Sequence, residues 1–258
     1  MQHYLKRILK MSYTSRHLSV ANPLPATASA PLFDIRSKRP NISLLTETAV
    51  VTIIAIIAVR ILGTSSIIKT SWFVVAPGIL ITAALVPTVI TRRDFVGIGF
   101  NKSQIRHSLS LLGWACIAAF PPMVLGLWLM SYWGFELPLR AVMPPAQGWF
   151  CWLFYQFMYI SVAEEVFFRG YIQDNILRLT GTIAQERQRL LQWISIVISA
   201  GCFTAAHIMV QGKIISVLIF LPGLVLGWLF VRTRSLLAPI LFHGLANTIY
   251  LCAIGALV

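Results

Sequence analysis

The stretch GWFCWLFYQFMYISVAEEVFFRGYI, residues 148–172, has the length and apolarity of a membrane span but carries three charged side chains. About 20 apolar residues are enough for a helix to cross the hydrocarbon core of a bilayer, so this stretch is long enough. Ionisable groups are expensive inside a span, and where they occur they mark a functional site by default. The candidate functional site of this protein therefore includes Glu164, Glu165 and Arg169.

The rest of the chain is similarly apolar. Hydrophobic residues make up 57% of the 258 residues and charged residues 11%, and the mean hydropathy is +0.78. Soluble domains are rarely this apolar, so the composition predicts a protein that crosses the membrane several times. We expect an all-α transmembrane helix bundle of about seven spans in one domain, residues 41–258. The predicted spans are 44–63, 71–91, 108–130, 148–172, 191–211, 214–231 and 236–257.

Lysine and arginine residues are alternately frequent and rare in successive connections between these spans. Cytoplasmic connections carry the excess of such residues, so the alternation predicts a cytoplasmic N-terminus. Residues 1–40 are basic and rich in Ser and Pro, which predicts a flexible cytoplasmic tail, although an organelle targeting segment has a similar composition. We expect an integral, multi-pass protein of the bacterial cytoplasmic membrane rather than of an organelle.

The net charge of +13 does not by itself indicate a nucleic-acid partner. The basic residues are spread between the apolar runs instead of forming one face, and no nucleic-acid-binding motif accompanies them. We therefore expect membrane lipid as a partner and no nucleic acid.

The charged residues of the fourth span divide into a pair and a remaining carboxylate. Glu165 and Arg169 are four residues apart with the acid first, which is the favoured arrangement for an ion pair on a helix. Glu164 points about 100° away from Glu165 and is left over. An unpaired carboxylate in this position suits a general base. The alternative is that all three residues mark a helix end at the membrane interface.

Two further polar clusters lie in the second half of the chain. Phe203 and His207 are one helical turn apart, as are His243 and Asn247, so each pair shares a helix face. A single histidine in a span is usually a hydrogen-bonding packing residue. Two histidines in separate spans, one with an amide a turn away, are less ordinary and point to a shared site.

Glu164, His207, His243 and Asn247 together can activate water. The carboxylate would take a proton from water, one histidine would orient that water, and the other histidine with the amide would stabilise the oxyanion. A metal site is the alternative, because Glu164, His207 and His243 are a common ligand set for zinc or iron. No HExxH or GxSxG motif is present, and the residue types leave both chemistries open.

Three motifs occur in the order of one known family: EExxxR at Glu164, Glu165 and Arg169, FxxxH at Phe203 and His207, and HxxxN at His243 and Asn247. In this respect the chain resembles the CAAX-protease and bacteriocin-processing (CPBP/Abi) family of intramembrane glutamic endopeptidases, over a core of about 148–250. The resemblance implies peptide-bond hydrolysis with Glu164 as catalytic base. It implies supporting roles for Glu165, Arg169 and Phe203, and no cofactor, with zinc as the alternative.

The predicted function is therefore an intramembrane endopeptidase that cleaves near the membrane-proximal tail of a protein or peptide. CAAX-type tails, bacteriocin precursors and C-terminal sorting tails are the substrates that the resemblance implies. A non-enzymatic immunity or scaffold protein and a Glu/His proton-relay transporter are the alternatives. We expect the cavity in the cytoplasmic half of the membrane, although residue counting places His207 roughly 10 Å deeper than Glu164 and His243.

Overall fold

The computed structural model describes residues 42–64, 72–93, 105–137, 148–178 and 185–257, and every regular element in these ranges is a helix. This confirms the predicted all-α class. The predictions for residues 1–40 fall outside the described residues. The described ranges contain seven helices: α1 Ile42–Thr64, α2 Trp72–Ile90, α3 Ile105–Tyr132, α4 149–178, α5 Gln185–Gln211, α6 Ile214–Thr233 and α7 Leu237–Leu257.

Most of the helices match the predicted spans in length and apolarity. Five of them, α1, α3, α5, α6 and α7, could cross a membrane, and the apolar part of α2 is slightly shorter. Helix α4 continues to Arg178 and α5 begins at Gln185, each about six residues beyond the predicted limit. The added residues are QDNILR at the end of α4 and QERQRL at the start of α5. A search for apolar runs misses them because these residues are mostly polar and a helix can continue after it leaves the hydrocarbon.

Helix α4 lies at the centre of the bundle, and every residue from Glu165 to Leu177 is buried. Two of its stretches, Gln156–Ser161 and Val166–Gln173, are π-helical. The Ser161 hydroxyl donates to the backbone oxygen of Gln156, five residues earlier, at 2.8 Å. Such π segments inside α-helices are frequent at functional sites. Here they flank the single α-helical turn that carries both glutamates.

Helix α3 packs against α6 and α7 and turns its other side outwards. Phe120 of α3 stacks on Phe242 of α7 with ring centroids 5.0 Å apart. Large apolar side chains on the outer side, including Trp114, Ile117 and Trp128, are exposed. An exposed apolar surface of this kind marks contact with a membrane. The buried cluster between these helices consists of Leu112, Ala115, Leu226, Leu229, Ala238 and Phe242.

A polar network joins α1 and α4 to the residues after α2. Glu47 accepts hydrogen bonds from Arg93 and from the hydroxyl of Tyr171, the latter at 3.0 Å. Arg93 also donates to Asn175 at 3.2 Å, and Asn175 donates to Thr48 at 3.0 Å. Each charged group therefore has a partner on another helix, which holds the ends of these helices together.

Glycines allow α6 to approach α5 closely. A Cβ added at Gly223 would lie 3.2 Å from the Cβ of Ala200, and one at Gly227 would lie 3.1 Å from Ile196. Small residues four positions apart are a common device for close packing of membrane helices.

Gly244 of α7 is required by the position of Phe157 on α4. A Cβ at Gly244 would lie 2.5 Å from two ring atoms of Phe157. We expect Gly244→Ala to destabilise the protein by about 1–3 kcal/mol, because overpacking forces the ring or the helix to move. Thermal unfolding in detergent measures the change.

The matched control is Gly113→Ala on α3, where an added Cβ meets no atom within 4 Å. This variant is expected to keep wild-type stability, and combining Gly244→Ala with Phe157→Leu is expected to recover most of the loss. Equal stability of the two alanine variants would contradict the close contact between α4 and α7.

Candidate active site

Three helices bring Glu164, His207 and His243 together. Glu164 lies on the α-helical turn of α4, His207 in the last part of α5 and His243 near the start of α7. The Oε2 atom of Glu164 is 3.7 Å from Nε2 of His243 and 4.0 Å from Nε2 of His207. The difference in depth predicted for His207 therefore does not separate it from Glu164.

Both histidines present the same nitrogen to Glu164 because the other nitrogen is already bonded. Nδ1 of His207 lies 3.0 Å from the backbone oxygen of Phe203, and Nδ1 of His243 lies 2.8 Å from Oε1 of Glu165. A backbone oxygen and a carboxylate both accept, so each Nδ1 carries the proton of a neutral ring. Each Nε2 is then a lone-pair acceptor that faces Glu164, and it becomes a donor only when the ring is protonated.

The predicted ion pair between Glu165 and Arg169 is present and completely buried. Nη1 of Arg169 donates to Oε1 of Glu165 at 2.9 Å, and both side chains have zero exposure. Nη2 of Arg169 lies 3.3 Å from the backbone oxygen of Gly223. Because Oε1 of Glu165 also accepts from His243, one carboxylate connects the buried arginine to the candidate active site.

Phe203 packs against three of the other motif residues. Its ring lies 4.6 Å from the guanidinium carbon of Arg169, close enough for a cation–π contact. The same ring lies 4.5 Å from the ring of His207 and 5.7 Å from that of His243, measured between centroids. Phe203 therefore fixes the positions of both histidines from their apolar side.

Asn247 lies one turn beyond His243 and contacts a residue that the sequence analysis missed. Its Nδ2 atom donates to Oε1 of Gln156 at 3.0 Å. Gln173, also missed, donates to the backbone oxygen of Gly227 at 2.9 Å. Gln156 is a polar residue within the apolar part of α4, and the cost of placing an amide there was the available signal. Gln173 lies just beyond the predicted span, so that signal did not extend to it.

A cavity of about 230 Å³ lies beside Glu164 and His207. Its walls come from α1, α2, α4 and α5, so the first two helices line the site as well as supporting the bundle. The wall residues are mostly apolar: Ile56, Val59, Ala76, Pro77, Leu80, Tyr155, Ile160, Phe168, Ala206, Val210 and Gln211. Most of them lie in the half of their helix away from the arginine-rich connections. The cavity therefore lies mainly on the side of Glu164 away from these connections, and its expected place in the cytoplasmic half of the membrane stays a prediction.

The three converging side chains also have the chemistry of a metal site, but their spacing is wide for zinc. Two ligands of a tetrahedral zinc ion are about 3.3 Å apart. The carboxylate–imidazole distances of 3.7 and 4.0 Å exceed this value. Within the described part of the chain, no group of three or more His, Cys, Asp or Glu side chains has the arrangement of a metal site. A metal, if bound, would be held by Glu164, His207 and His243.

A protein-family model described as Rce1-like, type II CAAX prenyl endopeptidase, matches residues 146–249. The match covers 104 of the 258 residues, so this segment is similar to the Rce1-like family. No curated protein and no solved structure matches the chain. The Rce1-like segment coincides with the predicted core of about 148–250 and contains all three motifs. Together with the apolar helices, the match supports an integral membrane protein and, in general terms, an intramembrane endopeptidase.

Proposed function

We propose that the Rce1-like segment hydrolyses a peptide bond by a water molecule that Glu164 activates. The observation that carries this proposal is the convergence of one carboxylate oxygen and two imidazole Nε2 atoms within 4.0 Å. Glu164 Oε2 is buried and has no hydrogen-bond partner among the described residues. A buried acceptor of this kind calls for a donor, and a water molecule bound between these atoms supplies one.

The two histidines have different proposed roles because their Nδ1 atoms have different hydrogen-bond partners. Nδ1 of His207 lies against the backbone oxygen of Phe203, so Nε2 of the neutral ring can accept a hydrogen bond from the water. In the proposed mechanism the His243 ring acts in its protonated form, with Nδ1–H donating to the Glu165 carboxylate. Its Nε2–H then donates to the oxygen of the scissile carbonyl as negative charge develops there.

In the proposed reaction, every proton taken from water is delivered to the products by Glu164 alone. Glu164 takes one proton from the water as the hydroxide oxygen bonds to the carbonyl carbon. The protonated Glu164 then gives that proton to the nitrogen of the leaving amine as the C–N bond breaks. Asn247 is proposed to help hold the oxyanion with its second Nδ2 hydrogen, because its first is directed to Gln156.

The proposed substrate is a protein or peptide with a membrane-associated tail, such as a bacteriocin precursor or a sorting tail, in a bacterial cytoplasmic membrane. The enclosure of the cavity by four apolar helices supports a substrate that is itself held at the membrane.

The experiment compares wild type with Glu164→Gln in membranes and determines the new peptide termini across the membrane proteome. Termini that appear only with wild type establish proteolysis and identify the substrate. If both proteins give the same termini while a partner co-purifies with each, the endopeptidase proposal is wrong and a binding protein takes its place.

The proposed mechanism predicts that metal chelators do not inhibit. Treatment with EDTA or 1,10-phenanthroline followed by desalting is expected to leave more than about half of the activity, because no step needs a Lewis acid. Added zinc is expected to inhibit by occupying the water position. Loss of activity on chelation that zinc restores would show that Glu164, His207 and His243 are metal ligands.

A further inference from the structure

Gln156 lies outside the three motifs but contacts one of their residues. It begins the π-helical stretch Gln156–Ser161 of α4, and its side chain is partly buried. Its Oε1 atom accepts a hydrogen bond from Nδ2 of Asn247 at 3.0 Å. Asn247 is one helical turn beyond His243, which itself lies 3.7 Å from Glu164. Through this contact Gln156 is connected to the candidate active site.

The π-helical stretch turns Gln156 to the face of α4 that carries Glu164. The hydroxyl of Ser161 donates to the backbone oxygen of Gln156 at 2.8 Å, across the widened turn. Eight residues of a regular α-helix rotate by about 800°, which would place Gln156 and Glu164 roughly 80° apart. A π turn contains one residue more than an α turn, so these eight residues rotate about as far as seven, which is within roughly 20° of two full turns. Gln156 and Glu164 therefore face the same neighbour, α7.

Contacts with two other helices hold the π-helical stretch in place. The ring of Phe157 lies against Gly244 of α7, where an added Cβ would come within 2.5 Å of it. The hydroxyl of Tyr159 donates to the backbone oxygen of Val74 on α2 at 2.6 Å. The side chain of Gln156 therefore extends from a backbone that is packed on two sides, and it meets α7 one turn beyond the glycine.

We propose that Gln156 is a positioning residue that directs the amide of Asn247 to the oxyanion formed during cleavage. This inference rests on the proposed endopeptidase function and deepens it. The amide of Asn247 carries its NH2 group and its oxygen on the same carbon, so a rotation of about 180° exchanges a donor for an acceptor. The Gln156 oxygen only accepts, so it holds the NH2 group in place, with one hydrogen bonded to Gln156 and the other left for the oxyanion. A donor fixed in this way before the reaction stabilises the charge as it forms.

Single substitutions at Gln156 test this role through kcat. Gln156→Met and Gln156→Ala both remove the acceptor oxygen, and each is expected to lower kcat about tenfold with KM nearly unchanged, because the oxyanion forms only after the substrate has bound. Gln156→Glu keeps an acceptor oxygen in either protonation state and is expected to recover most of the lost rate. The rates are measured with the full-length protein in proteoliposomes, on a peptide that spans the cleavage site identified with wild type.

A double variant separates positioning from support of the fold. Asn247→Ala removes the proposed donor and is expected to lower kcat about 10²-fold. Because Gln156 acts through Asn247, adding Gln156→Met to Asn247→Ala is expected to cause no further loss, whereas a residue that only supports the fold would slow both backgrounds. The matched control is Gln188→Met, the same substitution at an exposed glutamine of α5, which is expected to keep the wild-type rate. Thermal unfolding shows that the variants compared are folded.

The inference is overturned if Gln156→Met and Gln156→Ala keep the wild-type rate, or if Gln156→Glu is as slow as they are. It is also overturned if Gln156→Met slows Asn247→Ala by the same factor as it slows wild type. In each of these cases wild type still cleaves and Glu164→Gln does not, so the proposed endopeptidase function stands. If wild type and Glu164→Gln generate the same termini, the endopeptidase function is rejected, and the role of Gln156 is rejected with it.

Discussion

A Glu164→Gln variant is expected to cleave its substrate about 10³-fold more slowly than wild type, with KM nearly unchanged. The amide has the shape of the carboxylate but cannot take a proton from water. Oε2 of Glu164 makes no hydrogen bond within the described residues, and the two histidine nitrogens lie 3.7 and 4.0 Å from it, so replacing this atom breaks no hydrogen bond. Single-turnover cleavage in proteoliposomes measures the rate, and thermal unfolding shows whether the fold is retained.

The matched control for this variant is Glu136→Gln. Glu136 is mostly exposed, lies 3.5 Å from Lys213 and is not among the residues that line the cavity. The Glu136→Gln variant is expected to keep the wild-type rate of cleavage, because exposed ion pairs contribute little to stability. Glu164→Asp, whose carboxylate is one methylene shorter, is expected to fall between the two. A Glu164→Gln variant that retains more than a tenth of the wild-type rate would falsify the role of Glu164 as general base.

A Glu165→Leu variant is expected to lose about 3–5 kcal/mol of stability together with its activity. The substitution leaves the guanidinium of Arg169 with zero exposure and without its carboxylate partner. It also removes the acceptor of the Nδ1 proton of His243. Thermal unfolding and cleavage are measured on the same preparation.

The double variant Glu165→Leu/Arg169→Met separates the two effects. Replacing both members of a buried ion pair by apolar residues is often close to neutral, so stability is expected to return to within about 1 kcal/mol of wild type. Activity is expected to stay low, because His243 still lacks the carboxylate that orients its ring. Recovery of activity along with stability would mean that Glu165 only neutralises Arg169. Equal instability of the single and double variants would mean that the charge pair is not the source of the loss.

The part of the chain before the Rce1-like segment contributes to the site. Ile56 and Val59 of α1 and Pro77 and Leu80 of α2 form walls of the cavity. The motifs alone gave no role to these helices, because wall residues are ordinary apolar side chains that resemble those facing lipid. Helix α3, by contrast, packs on α6 and α7 and lines no part of the cavity described here.

Much about this protein follows from its sequence alone. Apolar runs of about 20 residues predict the spans because every backbone polar group in hydrocarbon must be bonded within its own helix. The motif residues stand out because charged and imidazole side chains are costly in such runs. The spacing of Glu165 and Arg169 predicts their ion pair, since residues four apart meet on any α-helix.

The tertiary structure decided what these local rules do not reach. That His243 bonds Glu165 through Nδ1 and faces Glu164 through Nε2 depends on how α7 lies against α4. The limits of α4 and α5 and the contacts of Gln156 and Gln173 also depend on packing between helices. The periodicity of the sequence shows which face of a helix is apolar. Which other helix that face packs against is decided by contacts between residues far apart in the chain, such as Glu165 and His243.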